Sequence, residues 1–265
     1  EPKSSFDKKR AAELFVLSAA SLFFELLVIR WLSSEIRIFA YFKNIPLMAA
    51  LFGMGLGLAL SNSKRRLDWM FPIGMLILTV LICFAEPLQL VHVSCINPLE
   101  HYLIGTNENG FAGNVSYLDK VMLIVPGLVV LVAVFYIMVA TFSSIGQRLG
   151  QLFDSFKPLT AYSINVGASL LGILLFTAMS FLSLKPEHWL IAGVLMSIWF
   201  YKEKIWQVGA LITCVIIAFA TSPAGVVWSP YYRISLGEVR IAADGKYPEI
   251  HYDITIHVNH DAIEG

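Results

Sequence analysis

Residues 121–142, with the sequence VMLIVPGLVVLVAVFYIMVATF, contain no charged side chain over twenty-two consecutive positions. An α-helix rises 1.5 Å per residue, so about twenty apolar residues cross the roughly 30 Å hydrocarbon core of a bilayer. A run of this length predicts a membrane-spanning helix, because the buried helices of soluble domains are usually shorter and interrupted by polar residues.

The composition of the whole chain agrees with that prediction. Of its 265 residues, 57% are hydrophobic and only 14% are charged, whereas a soluble domain is about 45–50% apolar and 25% charged. The nineteen Lys and Arg equal the nineteen Asp and Glu, which argues against a basic nucleic-acid-binding protein. We therefore expect the lipid bilayer, and no nucleic acid, as a partner.

Similar apolar stretches recur along the chain and predict an all-α polytopic transmembrane bundle of about seven spans with a small C-terminal β-hairpin. A basic N-terminal segment covers residues 1–10 and the helical domain covers residues 11–222. The spans are expected near residues 12–33, 40–63, 68–86, 120–142, 159–184, 187–201 and 204–222. The sixth has thirteen charge-free residues, 189–201, and crosses only if its polar flanks reach the interface.

The orientation follows from the positions of Lys and Arg, which cytoplasmic loops retain. With the N-terminus inside, eleven basic residues fall in the cytoplasmic set and four in the opposite set before the last helix. We expect a bacterial inner-membrane protein with a cytoplasmic N-terminus and a periplasmic C-terminal tail. If residues 189–201 fail to cross, the tail is cytoplasmic instead.

Residues 226–265 have the alternating pattern of β-strands. Residues 232–236, 238–242 and 250–258 alternate, and Asp244-Gly245 is a hairpin turn signal. A two-stranded unit is marginally stable alone. Either this segment docks on something else, or it begins a sheet that a longer chain completes.

Ionisable residues within apolar helices are costly, and they usually face the bundle interior. Glu25 shares one helical stripe with Ser18 and Ser21. It predicts either a proton or cation site or a buried carboxyl that fixes helix register. Arg30 lies nearer the interface, where its side chain can reach polar surroundings. Asn165 is available for an interhelical hydrogen bond.

Small residues in two predicted helices favour close helix packing. Gly53, Gly55 and Gly57 resemble a nucleotide-binding loop only superficially, since no strand precedes them and no basic residue follows. Ala49, Gly53 and Gly57 instead form a small-xxx-small ridge, and Ser169 and Gly172 form a similar face beside Asn165.

The sequence contains no recognisable catalytic or metal-binding constellation. Two groups, His92 with Cys95 and His101, and His251 with Asp253 and His257, lack the spacing of a closed metal site. Residues 147–153 are amphipathic and are expected to lie along the cytoplasmic interface. We predict no catalytic residue, metal or cofactor in this chain.

Five segments in order resemble the membrane-fused spermidine synthase-like proteins of bacteria, in which a multi-span module precedes an aminopropyltransferase-like domain. They are FELLVIRWL at residues 24–32, LFGMGLG at 51–57, AYSINVG at 161–167, WSPYYRI at 228–234 and HVN at 257–259. Ser229, Pro230, Tyr231 and Tyr232 are similar to the entry strand of the synthase domain, and Asn259 to its next strand.

The resemblance implies a β-hairpin subdomain leading into a domain that binds decarboxylated S-adenosylmethionine. The family's glutamine beside the substrate pocket is matched by Tyr232, and its cofactor loop and catalytic aspartates would lie beyond Gly265. We therefore expect a membrane module that anchors or scaffolds instead of catalysing. Two alternatives are a membrane-complex subunit that docks an exoplasmic partner through its β-tail and a small proton-coupled transporter that uses Glu25.

Overall fold

The computed structural model describes residues 8–88, 90, 117–201, 204–223, 225–240, 252–258 and 261–263. This part of the chain is mostly helical, with a small β-sheet at its C-terminal end. Its eight helices are α1 (Lys8–Glu35), α2 (Arg37–Tyr41), α3 (Asn44–Ala59), α4 (Met70–Cys83), α5 (Tyr117–Phe153), α6 (Pro158–Phe181), α7 (Pro186–Tyr201) and α8 (Ile205–Thr221).

The helices other than the short α2 run in alternating directions. At one end, Glu13 near the start of α1 contacts Arg148 near the end of α5, and Lys204 before α8 contacts Asp68 before α4. We call this the base end. At the opposite end, which we call the sheet end, α1 ends at Glu35 beside the β-sheet.

Among the residues that the structure describes, three helices are long and apolar enough to cross a membrane: Lys8–Glu35, Val125–Phe153 within α5, and Pro158–Phe181. Seven spans were expected, and the structure supports only these three by length and composition. The helices α3, α4, α7 and α8 have 16, 14, 16 and 17 residues, or about 21–26 Å at 1.5 Å per residue. These helices are shorter than the expected spans because the ends of the apolar sequence stretches lie in turns and loops.

The bundle is organised around α1, which packs along α6 and α7, while α3 packs along α5. Aromatic rings meet edge-on through its centre. The ring centroids of Phe24 and Phe71 lie 5.0 Å apart, and those of Phe23 and Phe176 lie 5.6 Å apart. Edge-to-face contacts at this separation stabilise beyond the area that they bury.

The expectation that residues 147–153 lie along the membrane interface is wrong. They continue α5 without a break to Phe153, and Gln147, Leu149 and Leu152 are buried. The apolar side of this segment packs on the protein itself, which explains the amphipathic pattern without a lipid surface.

Four antiparallel strands form one sheet in the order β1-β2-β3-β4. They are β1 (Val226–Trp228), β2 (Arg233–Arg240), β3 (Tyr252–Val258) and β4 (Asp261–Ile263). The pairing of β2 with β3 runs from Ile234 opposite Val258 to Arg240 opposite Tyr252. The expected turn at Asp244-Gly245 lies outside the described residues.

Candidate functional site at the core and sheet end of the bundle

The polar stripe of α1 lies inside the bundle. Ser18, Ser21 and Glu25 are all buried, and Ser21 Oγ donates a hydrogen bond of 2.8 Å to the carbonyl oxygen of Ser18. Glu25 is 2% exposed, and its Oε2 has no hydrogen-bond partner among the described residues. An unpaired carboxylate is costly in such surroundings, so the site suits the neutral, protonated carboxyl.

Arg30 connects three elements at the sheet end. Its Nη1 donates to Ser180 Oγ near the end of α6, and its Nη2 donates to the carbonyl oxygen of Ser229. Its guanidinium carbon lies 4.9 Å from the centre of the Trp189 ring on α7. Arg30 uses two N–H donors and the flat face of its guanidinium at once. Lysine has no flat face and could not make all three contacts. Arg30 therefore connects elements at the sheet end and is not paired with Glu25.

Residues 229–232, which we expected to resemble the entry strand of a synthase domain, form a turn between β1 and β2. Trp228 pairs with Arg233 across the ladder, and residues 229–232 join them. The backbone N–H and Oγ of Ser229 both donate to the carbonyl oxygen of Tyr232, at 2.8 and 3.0 Å. Pro230 sits within this turn, where its fixed φ is favourable. Tyr231 and Tyr232 point outward and are exposed.

An ion pair and an aromatic contact attach the sheet to the bundle. Arg233 Nε at the start of β2 lies 3.1 Å from Glu35 Oε1 at the end of α1, and the Arg233 side chain is 8% exposed. The Trp228 ring of β1 meets the Trp189 ring of α7 at 5.2 Å between centroids. The sheet is thus held by both charge and apolar contact.

A cavity of about 110 Å³ lies between the bundle and the sheet. Its lining includes Trp31, Glu35, Glu187, Trp228 and Arg233. Glu187 is 5% exposed and accepts a hydrogen bond of 3.2 Å from Ser222 Oγ. The cavity can hold a small polar species. Within the described part of the chain, no group of three or more His, Cys, Asp or Glu could bind a metal ion.

The small residues of α3 lie against the backbone of α5. Ala49, Gly53 and Gly57 are buried, and a Cβ atom added to Gly53 would lie 3.0 Å from the Val139 Cα. One added to Gly57 would lie 2.6 Å from the Gln147 backbone nitrogen. A contact of 3.0 Å is tighter than most real Cβ contacts and one of 2.6 Å is essentially never seen, so a larger side chain at Gly53 or Gly57 would force α3 away from α5.

The small face of α6 lies against α1. A Cβ atom added to Gly172 would lie 3.1 Å from the Ala19 Cα, and Ser169 Oγ donates a long hydrogen bond of 3.5 Å to the Ser18 carbonyl oxygen. Asn165 is half-buried on the same helix. We find no interhelical hydrogen bond of its amide among the described residues. Asn259 lies outside the described residues.

Two important residues did not stand out in the sequence. Gln147 is buried, accepts from the Leu67 backbone N–H at 2.8 Å, and donates to the carbonyl oxygens of Leu60 and Arg65. It therefore fixes the α3–α4 loop. A glutamine on the apolar side of an amphipathic segment was its only signal. Arg233 had none, because its partner Glu35 is about two hundred residues away.

No family model, no curated protein and no solved structure matches the chain.

Proposed function

We propose that this chain is the membrane-embedded module of a spermidine synthase-like integral membrane protein, and that it anchors and positions the β-segment on one end of a helical bundle. The observation that carries this proposal is the attachment at the sheet end. Arg30 binds the β1–β2 turn, Glu35 binds Arg233, and Trp189 contacts Trp228. Such a sheet moves with the bundle and cannot swing freely on a linker.

Membrane embedding is supported by the distribution of polar and apolar side chains. On α6, Leu159, Leu170 and Leu174 are 77%, 55% and 52% exposed. Glu25 and Gln147 are buried at the same time. A soluble monomer rarely leaves a continuous apolar surface of this kind in water, whereas a bilayer solvates it.

Seven crossings and the expected orientation remain part of this proposal. The shorter helices can cross if their flanking turns and a locally thinned bilayer make up the missing length. Basic residues from distant parts of the chain, including Arg10, Arg66, Arg148 and Lys204, gather at the base end. That clustering supports a cytoplasmic base end and a periplasmic sheet end in the bacterial inner membrane.

Alkaline carbonate extraction, followed by protease digestion of oriented vesicles, tests this proposal. The protein should stay in the membrane fraction, and the segment after Thr221 should be cleaved only from the periplasmic side. Release by carbonate would overturn membrane embedding. Cleavage from the cytoplasmic side would overturn the seven-crossing orientation and favour a synthase-like domain facing the cytoplasm, where decarboxylated S-adenosylmethionine is expected.

If the chain is instead a subunit of a larger membrane complex, its β-tail should bind a separate periplasmic protein. Native purification distinguishes this alternative, since a stable second protein bound through the sheet would replace the scaffold proposal. A monomer that retains the sheet on its bundle would support the scaffold.

A second candidate function is proton-coupled transport through Glu25, and the unpartnered Oε2 of this buried carboxyl favours it. A carboxyl group that can gain and lose a proton inside a bundle is typical of proton relays. The cavity at the sheet end and a second cavity at the base end, whose lining includes Arg66, Arg148 and Lys204, lie on opposite sides of the bundle core that holds Glu25.

Replacement of Glu25 with Gln separates the two roles. Glutamine keeps the size and polarity of the side chain but cannot release a proton. If Glu25 is structural, the variant should unfold within a few degrees of the wild type, and vesicles containing either protein should show the same proton flux. Loss of a flux that the wild type supports would establish the transport role.

A further inference from the structure

We propose that the outward side of the sheet at the β1–β2 turn contacts the bilayer, at the boundary between the lipid headgroups and the acyl chains. We call this surface the turn surface and define it by Val227, Tyr231, Tyr232 and Ile234. The proposal rests on the membrane embedding proposed above. It adds that the sheet is seated on the bilayer as well as on the bundle.

The two faces of the β1–β2 ladder differ in burial. Val226 and Trp228 are 7% and 4% exposed, whereas Val227 between them is 60% exposed. Val227 pairs across the ladder with Ile234, which is partly exposed. Successive side chains of a strand point to opposite faces, so Val227 and Ile234 share the face turned away from the bundle. The solvated face of an antiparallel sheet usually carries polar side chains, whereas these two are apolar.

The turn adds two exposed tyrosines beside this apolar pair. Tyr231 and Tyr232 are 75% and 49% exposed, and their ring centroids lie 6.5 Å apart. Tyrosine combines an apolar ring with a polar hydroxyl group, and it is enriched where membrane proteins pass through the headgroup layer. The hydroxyl groups can stay among the headgroups while the rings meet the acyl chains. The composition of the turn surface therefore suits this boundary.

Arg30 holds the turn at the level where α6 ends. Its guanidinium donates both to Ser180 Oγ, one residue before the end of α6, and to the carbonyl oxygen of Ser229 in the turn. Phe181 and Leu182 follow directly in the chain and are 63% and 71% exposed. The turn therefore lies beside the last exposed apolar residues of a helix that is long enough to cross a membrane.

The length of α6 independently places this level at a membrane boundary. Tyr162, near the base end of α6, is 65% exposed. At 1.5 Å per residue, the helix between Tyr162 and Phe181 is about 28 Å long, which is close to the roughly 30 Å hydrocarbon core of a bilayer. No charged residue occurs between Lys157 and Lys185. With Tyr162 at one boundary, the end of α6 and the turn beside it lie at the other.

Spin labels on the full chain in vesicles of phosphatidylcholine and phosphatidylglycerol test the proposal. The substitutions Val227→Cys, Leu170→Cys and Lys64→Cys are made one at a time in a chain whose three native cysteines are replaced with alanine. Leu170, 55% exposed within α6, is the hydrocarbon reference, and Lys64, exposed in the α3–α4 loop, is the water reference. The accessibility of each label to oxygen, which partitions into lipid, is divided by its accessibility to a water-soluble nickel complex. We expect the ratio at Val227 to lie between those of the two references, as for a segment at the boundary.

Tyrosine variants show whether the turn keeps the sheet at this depth. Replacing Tyr231 and Tyr232 with Ser should lower the ratio at Val227 by about twofold or more, because serine has no ring to place at the boundary. Tryptophan at both positions keeps a ring with a polar group and should retain the original ratio. Tyr162→Ser removes an exposed tyrosine from the opposite end and is the control. Equal responses to this control and to the double serine variant would contradict the role of the two turn tyrosines.

Photo-crosslinking tests the same contact in the unmodified chain, and replaces the spin labels if the cysteine-free chain does not fold. The vesicles then contain a phosphatidylcholine with a photoreactive group close to its glycerol. We expect this lipid to label the peptide that contains residues 226–234. Absence of the label from this peptide would overturn the proposal.

A ratio at Val227 equal to that at Lys64 would likewise overturn the proposal. So would a Val227 label that neither reagent reaches, because the turn surface would then be covered by protein, as expected of a complex subunit. Neither of these results alters the ratio at Leu170. A Leu170 label in water would instead contradict membrane embedding itself, so failure of the turn surface and failure of the proposed function are distinguishable.

Discussion

Arg30 lies in α1 five residues before its end, in a helix whose other side chains at this level are mostly apolar. Its charge is accommodated because both terminal nitrogens donate hydrogen bonds, to a hydroxyl and to a carbonyl oxygen, and the guanidinium stacks on an indole ring. Hydrogen bonds to charged groups contribute about 1.5–3 kcal/mol each. A single side chain thus links α1, α6, α7 and the β1–β2 turn.

Replacement of Arg30 with Lys should loosen the sheet while leaving the bundle folded. Lysine keeps the charge but cannot bind Ser180 and Ser229 together while stacking on Trp189, so we expect a loss of about 1–3 kcal/mol in the free energy of unfolding. Limited proteolysis should cut the segment after Thr221 faster than in the wild type. Lys43→Ala, at an exposed position near the same end, is the control and should change neither rate nor stability.

At the scale of helices, the small residues of α3 allow its backbone to lie directly against that of α5. In a bilayer, helices gain little from burying apolar surface, because lipid is equally apolar, and close backbone contact provides much of the attraction. Gly53 and Gly57 make this contact, whereas a Cβ atom at Gly55 would meet nothing within 4 Å. Gly53 and Gly57 are therefore needed for close packing, whereas Gly55 is not.

Gly57→Ala and Gly55→Ala form a matched pair that tests this difference. At Gly57 the added methyl group would overlap the α5 backbone, so we expect a loss of about 1–3 kcal/mol. At Gly55 alanine has space and a better helix propensity, and should be neutral or stabilising by up to about 1 kcal/mol. Thermal unfolding in detergent measures both. Equal effects of the two substitutions would contradict the packing role of Gly57.

The same elements show how far the sequence predicts the structure. Local patterns identified the positions of the helices and the inward side of α1, because periodicity and apolar length depend only on neighbouring residues. They misplaced residues 147–153, since an amphipathic pattern does not say whether its apolar side meets lipid or protein. The turn at Ser229 and the pair of Glu35 with Arg233 depend on contacts across the chain, which no local pattern contains.

At the scale of the whole molecule, the two ends of the bundle are chemically different. The base end gathers an excess of basic side chains, and the sheet end carries carboxylates around a smaller cavity. Each end is closed by ion pairs between segments distant in sequence. These pairs hold the first and last helices in place, so the bundle positions its N-terminal segment and its β-sheet at opposite ends.

The ion pair of Glu35 and Arg233 gives the sharpest test of that whole-molecule arrangement. Because both side chains are largely buried, removing one partner takes a close opposite charge away from the other and should cost about 3–5 kcal/mol. Glu35→Gln and Arg233→Gln should each destabilise attachment of the sheet. The double variant should lose less than the sum of the two, because the contact between the two side chains can be lost only once. Hydrogen exchange of the β2 amides measures attachment, and additive losses would mean that the two residues act independently and that other contacts hold the sheet to the bundle.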